Sequence, residues 1–183
     1  MARGPLLVVL AVALVTLIAV GVAGYLELSP GTENGPETTS TNAGSFTYTP
    51  NAPVRIDTVW AEVGRLPNGT QEVTFYVTFE NDGDVPVYAI GGYVNAMSST
   101  ITENSGVLRV SPALICPGAI YIVTLDRGQN ATVYAPDCST GFNYYLVHAG
   151  SVGVQLSFGW TTNGNQSIPY SNSTMINADF SFG

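Results

Sequence analysis

Alternating apolar and polar residues are the feature that most limits what this chain can fold into. In Val73–Phe79 and Val152–Trp160 every second residue is large and apolar, which is the period of a β-strand with one face on a core. No helical period occurs after residue 26. About seven to nine such strands, separated by turns, predict an all-β fold, a single immunoglobulin-like antiparallel β-sandwich over residues 51–183.

Three local assignments follow from the same pattern. The first strand of the domain is predicted at Val54–Gly64, with Ile56 and Trp60 on one face. Residues Ser98–Gly106 are largely polar and are expected to form a loop. The run Asn81-Asp82-Gly83-Asp84 has the composition of a turn between two strands.

An apolar segment precedes this body. Pro5–Leu26 contains no charged residue, and Arg3 stands just before it. As a helix it would be about 30 Å long, which matches the hydrocarbon core of a bilayer. Because positive charge tends to remain in the cytoplasm, the residues after this helix are expected outside the cell. We therefore assign residues 1–26 as an N-terminal transmembrane anchor or signal peptide.

Processing of this leader has three interpretations. It is a retained anchor, or it is a signal peptide with Val22 and Gly24 at positions −3 and −1 of the cut. The third is a resemblance to archaeal type IV pilin signals, which are cut beside a glycine such as Gly4. All three deliver the domain to the extracellular side of the cell surface.

Residues 27–50 are predicted to be a flexible spacer. Pro, Gly, Ser, Thr and Asn dominate it, and large apolar side chains are almost absent before Phe46. Its last part, residues 45–49, alternates aromatic and hydroxyl side chains like a short strand, with Phe46 and Tyr48 on one face. Such a strand either pairs with its own domain as an edge strand or is donated to the open sheet of a neighbouring copy.

The charge balance argues against nucleic acid as a partner. The formal net charge is −8, only five residues are basic, and none of these is lysine. Without a basic patch, counterion release cannot hold a nucleic acid backbone. The absence of lysine also removes Schiff-base chemistry.

Covalent features fit an exported domain. Cys116 and Cys138 are an even pair and are expected to form a disulfide, whose loop closure is worth about 3 kcal/mol. N-glycosylation sequons at predicted turns, loops or strand starts begin at Asn68, Asn130, Asn165 and Asn172.

Glu80, Asp82 and Asp84 form the densest carboxylate cluster. They stand at positions i, i+2 and i+4 around Gly83, which allows a tight turn. Three oxygen ligands on a flexible loop are a partial calcium site, to be completed by another loop or a neighbouring subunit. The alternative is an ordinary polar turn. Calcium is the one cofactor that the sequence suggests.

Little in the sequence points to catalysis, and we expect no enzymatic activity. His148 is the sole histidine and follows a predicted strand, where a surface or half-buried position is usual. A blue-copper centre needs two histidines, so that kind of site is excluded.

The segment Val73–Val87 resembles the strand–turn–strand core of prokaryotic surface modules with an immunoglobulin-like fold, and Gly128–Val133 is similar to a later turn and strand of these modules. The whole plan resembles archaeal extracellular filament subunits of the donor-strand-linked thread and cannula type. This resemblance implies that Phe46 and Tyr48 fill a groove of the neighbouring subunit. The calcium-dependent members of that family also favour calcium binding by the carboxylate cluster.

Three functions are therefore expected. The first is a non-enzymatic cell-surface structural protein, a subunit of an extracellular filament assembled by N-terminal strand donation, with the chain itself as partner. The second is a membrane-tethered module, held by residues 5–26 and binding S-layer or another envelope protein as archaellum stators do. The third is a sugar-binding adhesin that would use exposed aromatic residues such as Tyr144, Tyr145 and Trp160, although such residues more often pack in a core or a turn.

Overall fold

The computed structural model describes residues 38–91, 97–112, 121–136, 142–164 and 171–183. Within these ranges every regular element is a β-strand, so the all-β prediction is confirmed. No helix in this part of the chain is long and apolar enough to span a bilayer. The leader Pro5–Leu26 lies outside the described residues.

The described strands form two antiparallel sheets. Sheet A contains β1 (Thr38–Asn42), β3 (Val54–Arg65), β4 (Gln71–Asn81), β7 (Leu108–Pro112), β9 (Asn130–Ala135) and β10 (Phe142–Leu146). Sheet B contains β2 (Ser45–Tyr48), β5 (Val87–Gly91), β6 (Ser98–Asn104), β8 (Tyr121–Leu125), β11 (Gly150–Thr161) and β12 (Asn172–Phe182).

One long antiparallel pair forms the centre of each sheet. In sheet A this pair is β3 with β4, and in sheet B it is β11 with β12. An N-terminal strand lies on one flank of each pair, β1 beside β3 and β2 beside β12. Two short strands share the other flank, β9 and β10 along β4, and β5 and β6 along β11. The two sheets therefore have the same plan, and the N-terminal segment runs from one to the other.

The inward faces of the two sheets pack into one hydrophobic core. Phe79 of β4 stacks on Phe158 of β11 with ring centroids 4.5 Å apart, and Phe75 contacts Phe180 of β12 at 5.0 Å. Every second residue is buried along most of β4 and β12, as the sequence pattern predicts. Two sheets that share one core in this way give a β-sandwich-like architecture.

A β-bulge in β3 corrects one prediction. The pairing of β3 with β4 shifts register between Ile56 and Thr58, so the alternation of faces reverses at that point. Ile56 faces the core, whereas Trp60 is half-buried on the outer face. The prediction that these two side chains share a face is wrong, because the alternation shifts by one residue between Ile56 and Val59.

Two segments predicted to be irregular are strands. Thr38–Asn42, taken as part of the flexible spacer, is β1 and pairs with β3. Ser98–Asn104, taken as a loop, is β6 and pairs with β11. Both contain mainly short polar side chains, so their hydrophobic alternation is weak. They form strands because a long neighbouring strand offers free backbone N–H and C=O groups.

Asn81 ends β4 as a fully buried amide. Its Nδ2 donates to the carbonyl oxygens of Val85 at 2.8 Å and of Leu125 at 2.9 Å, and its Oδ1 accepts from the backbone N–H of Gly83 at 3.0 Å. Its own backbone N–H and C=O bond to the turn that follows β8. This one residue therefore joins the end of β4, the loop after it and the end of β8.

Asn81→Ala should lower the free energy of unfolding by about 2–4 kcal/mol, because it leaves buried backbone groups without partners. Urea unfolding followed by the fluorescence of the buried Trp160 measures this change. The matched control is Asn68→Ala, since Asn68 is exposed in a turn and accepts one bond from Thr70 N at 3.0 Å. We expect less than about 1 kcal/mol there, and equal losses in both variants would contradict the role of Asn81.

Candidate functional site

The N-terminal strand β2 lies at the edge of sheet B, against β12. Phe46 is opposite Ala178 and Tyr48 is opposite Ile176 in an antiparallel register. Both aromatic side chains are half-buried and pack against the core, with their ring centroids 6.4 Å apart. The predicted strand at residues 45–49 is confirmed, and within this chain it takes the edge position on its own domain.

Polar contacts fix the start of β2. Gly44 N donates to the carbonyl oxygen of Asp179 at 2.8 Å, and Ser45 Oγ donates to Asp179 Oδ2 at 2.9 Å. Just before these, Ala43 N donates to the carbonyl oxygen of Val59 in β3 at 3.0 Å. The N-terminal segment is therefore bonded to both sheets, and its aromatic side chains supply the apolar part of the attachment.

A surface cleft of about 290 Å³ lies where β2 ends. Its lining includes Tyr48, Pro50, Pro53 and Gly83. Pro53 packs so closely on Gly83 that a Cβ at that glycine would lie 2.3 Å from the proline Cβ. This contact requires glycine in the loop after β4, and it holds that loop against the connection between β2 and β3.

The three carboxylates predicted as calcium ligands have separate surroundings. Glu80 faces outward from β4 and pairs with Arg55, while Asp84 pairs with Arg127 at 2.6 Å. Asp82 is exposed between them. Among the described residues, no group of three or more His, Cys, Asp or Glu is placed to hold a metal ion. The calcium site stays a prediction, and arginine engages two of its three ligands.

The predicted covalent sites are described only in part. Cys116, Cys138 and Asn165 lie outside the described residues, so the disulfide stays a prediction. Asn68 is exposed in a turn, and Asn130 is exposed at the start of β9. Asn172, the remaining sequon residue, is half-buried at the start of β12. Glycosylation at all four sequons likewise stays a prediction.

Two of the three aromatic residues expected on a sugar-binding surface belong to the core. Tyr144 and Trp160 are 2% and 1% exposed, and Trp160 Nε1 donates to Thr174 Oγ1 inside the core. Both side chains point inward, so they are not available to the sugar-binding surface that the adhesin hypothesis requires. Tyr145 faces outward, with the guanidinium of Arg109 5.4 Å from its ring centroid.

An aromatic row lies on the outer face of sheet A, and the sequence pattern did not reveal it. Trp60, Tyr76 and Tyr134 stand side by side in register on β3, β4 and β9. The rings of Trp60 and Tyr76 are stacked 5.1 Å apart with 9° between their planes, and Tyr134 lies 5.9 Å from Tyr76. Trp60 Nε1 lies 3.5 Å from Glu62 Oε1. The bulge in β3 places Trp60 in this row, so only the strand pairing shows it.

His148 lies on the surface, as expected. It follows β10, and its Nδ1 is 2.8 Å from the carbonyl oxygen of Ala149. This contact is local and joins the ring to its own neighbour in the chain.

Comparison with known proteins does not identify a relative of this chain. No family model matches the chain, and no curated protein or solved structure matches it either. The function proposed below therefore rests on the contacts described above.

Phe46→Ala should lower the free energy of unfolding by about 1–2 kcal/mol, because a half-buried aromatic side chain loses its contacts with the core. Thr47→Ala is the matched control on the exposed side of the same strand, with an expected change within about 0.5 kcal/mol. Urea unfolding compares the two variants. Indistinguishable effects would show that the aromatic side chains do not hold β2 on β12.

Stability should fall in alkaline solution. Burial and then the neighbouring Glu62 raise the pKa of Tyr76 to about 12, and burial also raises the pKa of Tyr144. The unfolded chain loses tyrosine protons near pH 10, so between about pH 10 and pH 12 the folded state binds more protons than the unfolded state. The free energy of unfolding should therefore decrease across this range, as measured by urea unfolding at each pH. Tyr76→Phe should reduce the slope, and an unchanged slope would contradict the assignment.

Proposed function

We propose that this chain is a non-enzymatic extracellular structural protein that forms a filament by donating its N-terminal strands to a neighbouring copy. The observation that carries the proposal is the attachment of residues 38–48. Both strands of this segment are edge strands, one on each sheet. The same strands from a second copy would make the same contacts, so exchange preserves the ladder bonds and the packing of Phe46 and Tyr48.

The connection from β2 to β3 supports such an exchange. Thr49 and Pro50 are exposed, whereas a tight turn follows in which Val54 N donates to the carbonyl oxygen of Asn51 at 3.1 Å. A backbone change confined to Thr49 and Pro50 would redirect the whole N-terminal segment and leave β3 in place. Proline favours an extended backbone at the residue before it, which suits a strand that leaves its own domain.

The remaining parts of the proposal rest on the sequence and the fold together. Export rests on the apolar leader at residues 1–26. The immunoglobulin-like classification is supported by two antiparallel sheets with alternating inward residues.

A membrane-tethered module that binds S-layer or another envelope protein is the second candidate. The pairing of β2 with β12 of its own chain favours it, because this arrangement needs no neighbouring copy. The two candidates share one fold and differ in which chain supplies β2 to the receiving edge.

A pair of cysteines placed across β2 and β12 distinguishes the two candidates. Ser45 and Asp179 are directly opposite in register, and such partners have Cα atoms about 4.5–5.5 Å apart, which suits a disulfide. In the double variant Ser45→Cys/Asp179→Cys, strand donation should give a ladder of covalent multimers on a non-reducing denaturing gel of the assembled protein. A strand that stays on its own domain gives monomers.

Each single cysteine variant is the control for links formed through the native cysteines. A ladder that needs both substitutions and collapses on reduction supports strand donation. Only monomers on the gel, with or without an internal disulfide, would exclude donation through β2 and favour the tethered module. Electron microscopy of the same samples, with and without a calcium chelator, tests whether Glu80, Asp82 and Asp84 contribute through a bound ion.

A further inference from the structure

We propose that the outer face of sheet A binds a neutral saccharide in a cleft beside the aromatic row. The cleft has a volume of about 210 Å³, which suits one pyranose ring. Its lining includes Glu62, Gly64, Glu72 and Tyr76. These residues belong to β3 and β4, the long central pair of the sheet, so the strands themselves hold the site in shape.

Gly64 leaves the space that forms this cleft. In register it lies between Thr38 of β1 and Glu72 of β4, yet a Cβ built on it would meet no atom within 4 Å. Its φ is not in the left-handed region, so the backbone does not require glycine there. Glycine inside a strand weakens the strand and often marks a bulge, a bend, or a close approach of a ligand or another backbone. The absence of a side chain at Gly64 therefore provides the open volume of the cleft.

The polar lining matches the hydroxyl groups of a sugar. The carboxylates of Glu62 and Glu72 accept hydrogen bonds from hydroxyl groups, and such charge-assisted bonds are stronger than neutral ones. The hydroxyl of Thr74, which is opposite Glu62 in register, adds a donor. A polyhydroxylated ligand can use acceptors and donors together, as this lining offers them.

The apolar side of the site comes from the aromatic row. Tyr76 lines the cleft, and Trp60 stacks on Tyr76. The C–H groups of a pyranose form an apolar face, which can pack against the part of Tyr76 that lines the cleft. An anionic saccharide would be repelled by Glu62 and Glu72 in a chain that already carries a net charge of −8. These features select a neutral ligand.

The site is independent of strand donation. Within its lining only Thr38 comes from β1, and the same residue would be present if that strand came from a neighbouring copy. The outer face of sheet B supplies a control surface, because Thr47, Asn177, Gln155 and Thr100 stand in register there and none is aromatic.

Gly64→Val tests the site by filling the cleft without removing a side-chain contact, and valine favours a strand. We expect the full chain to bind neutral oligosaccharides on a glycan array. The methyl glycoside of the best-bound sugar should bind with a dissociation constant of about 1 mM, as is usual for a single small ring. Gly64→Val should weaken this binding at least about tenfold with no fall in the thermal unfolding midpoint, and Glu72→Gln should weaken it several-fold.

Thr100→Val is the matched control, because Thr100 is exposed on the outer face of sheet B. It should bind saccharides as the unsubstituted chain does. The proposal is overturned if the unsubstituted chain binds no neutral saccharide, if it binds only anionic ones, or if Gly64→Val and Thr100→Val bind equally well. The cysteine cross-links test strand donation and the saccharide measurements test this site, so one proposal can fail while the other holds.

Discussion

The buried amide of Asn81 is the contact on which the two-sheet arrangement most depends. It lies where the chain passes from β8 in sheet B to β9 in sheet A, and it bonds to the backbone on both sides of that passage. An amide in an apolar core costs several kcal/mol when its bonds are missing, so these bonds must form together. Many slightly different packings of two apolar faces are otherwise close in energy. The requirement to satisfy one amide favours a single relative placement of the sheet ends.

The two flanks of each central strand pair are different. Each pair has one flank shared by two short strands and one flank closed by an N-terminal strand. β1 has mostly exposed side chains, and β2 adds only Phe46 and Tyr48 to the core. Such strands are held mainly by ladder bonds, which any chain of the same sequence can supply. This is the edge at which we propose that neighbouring copies attach.

The two outer faces have different chemistry. Sheet A carries the stacked aromatic row and ion pairs such as that of Arg55 with Asp57 at 2.8 Å. Exposed ion pairs contribute little to stability, and cross-strand aromatic pairs contribute a fraction of a kcal/mol to about 1 kcal/mol. Sheet B carries short hydroxyl and amide side chains along the centre of its outer face. The saccharide cleft that we propose lies on the face that carries the aromatic and charged groups.

The amino-acid sequence alone determined the all-β class, the long strands β4, β11 and β12, and the short strand β2, because alternation is a local property of the chain. It also placed the apolar leader and the sequons, which are local patterns too. Only the tertiary structure decided that Thr38–Asn42 and Ser98–Asn104 are strands, that Trp60 faces outward, and that open space lies above Gly64. Each of these depends on which strand lies alongside and in what register. Register is fixed by contacts between residues far apart in the chain, and a local period carries no information about them.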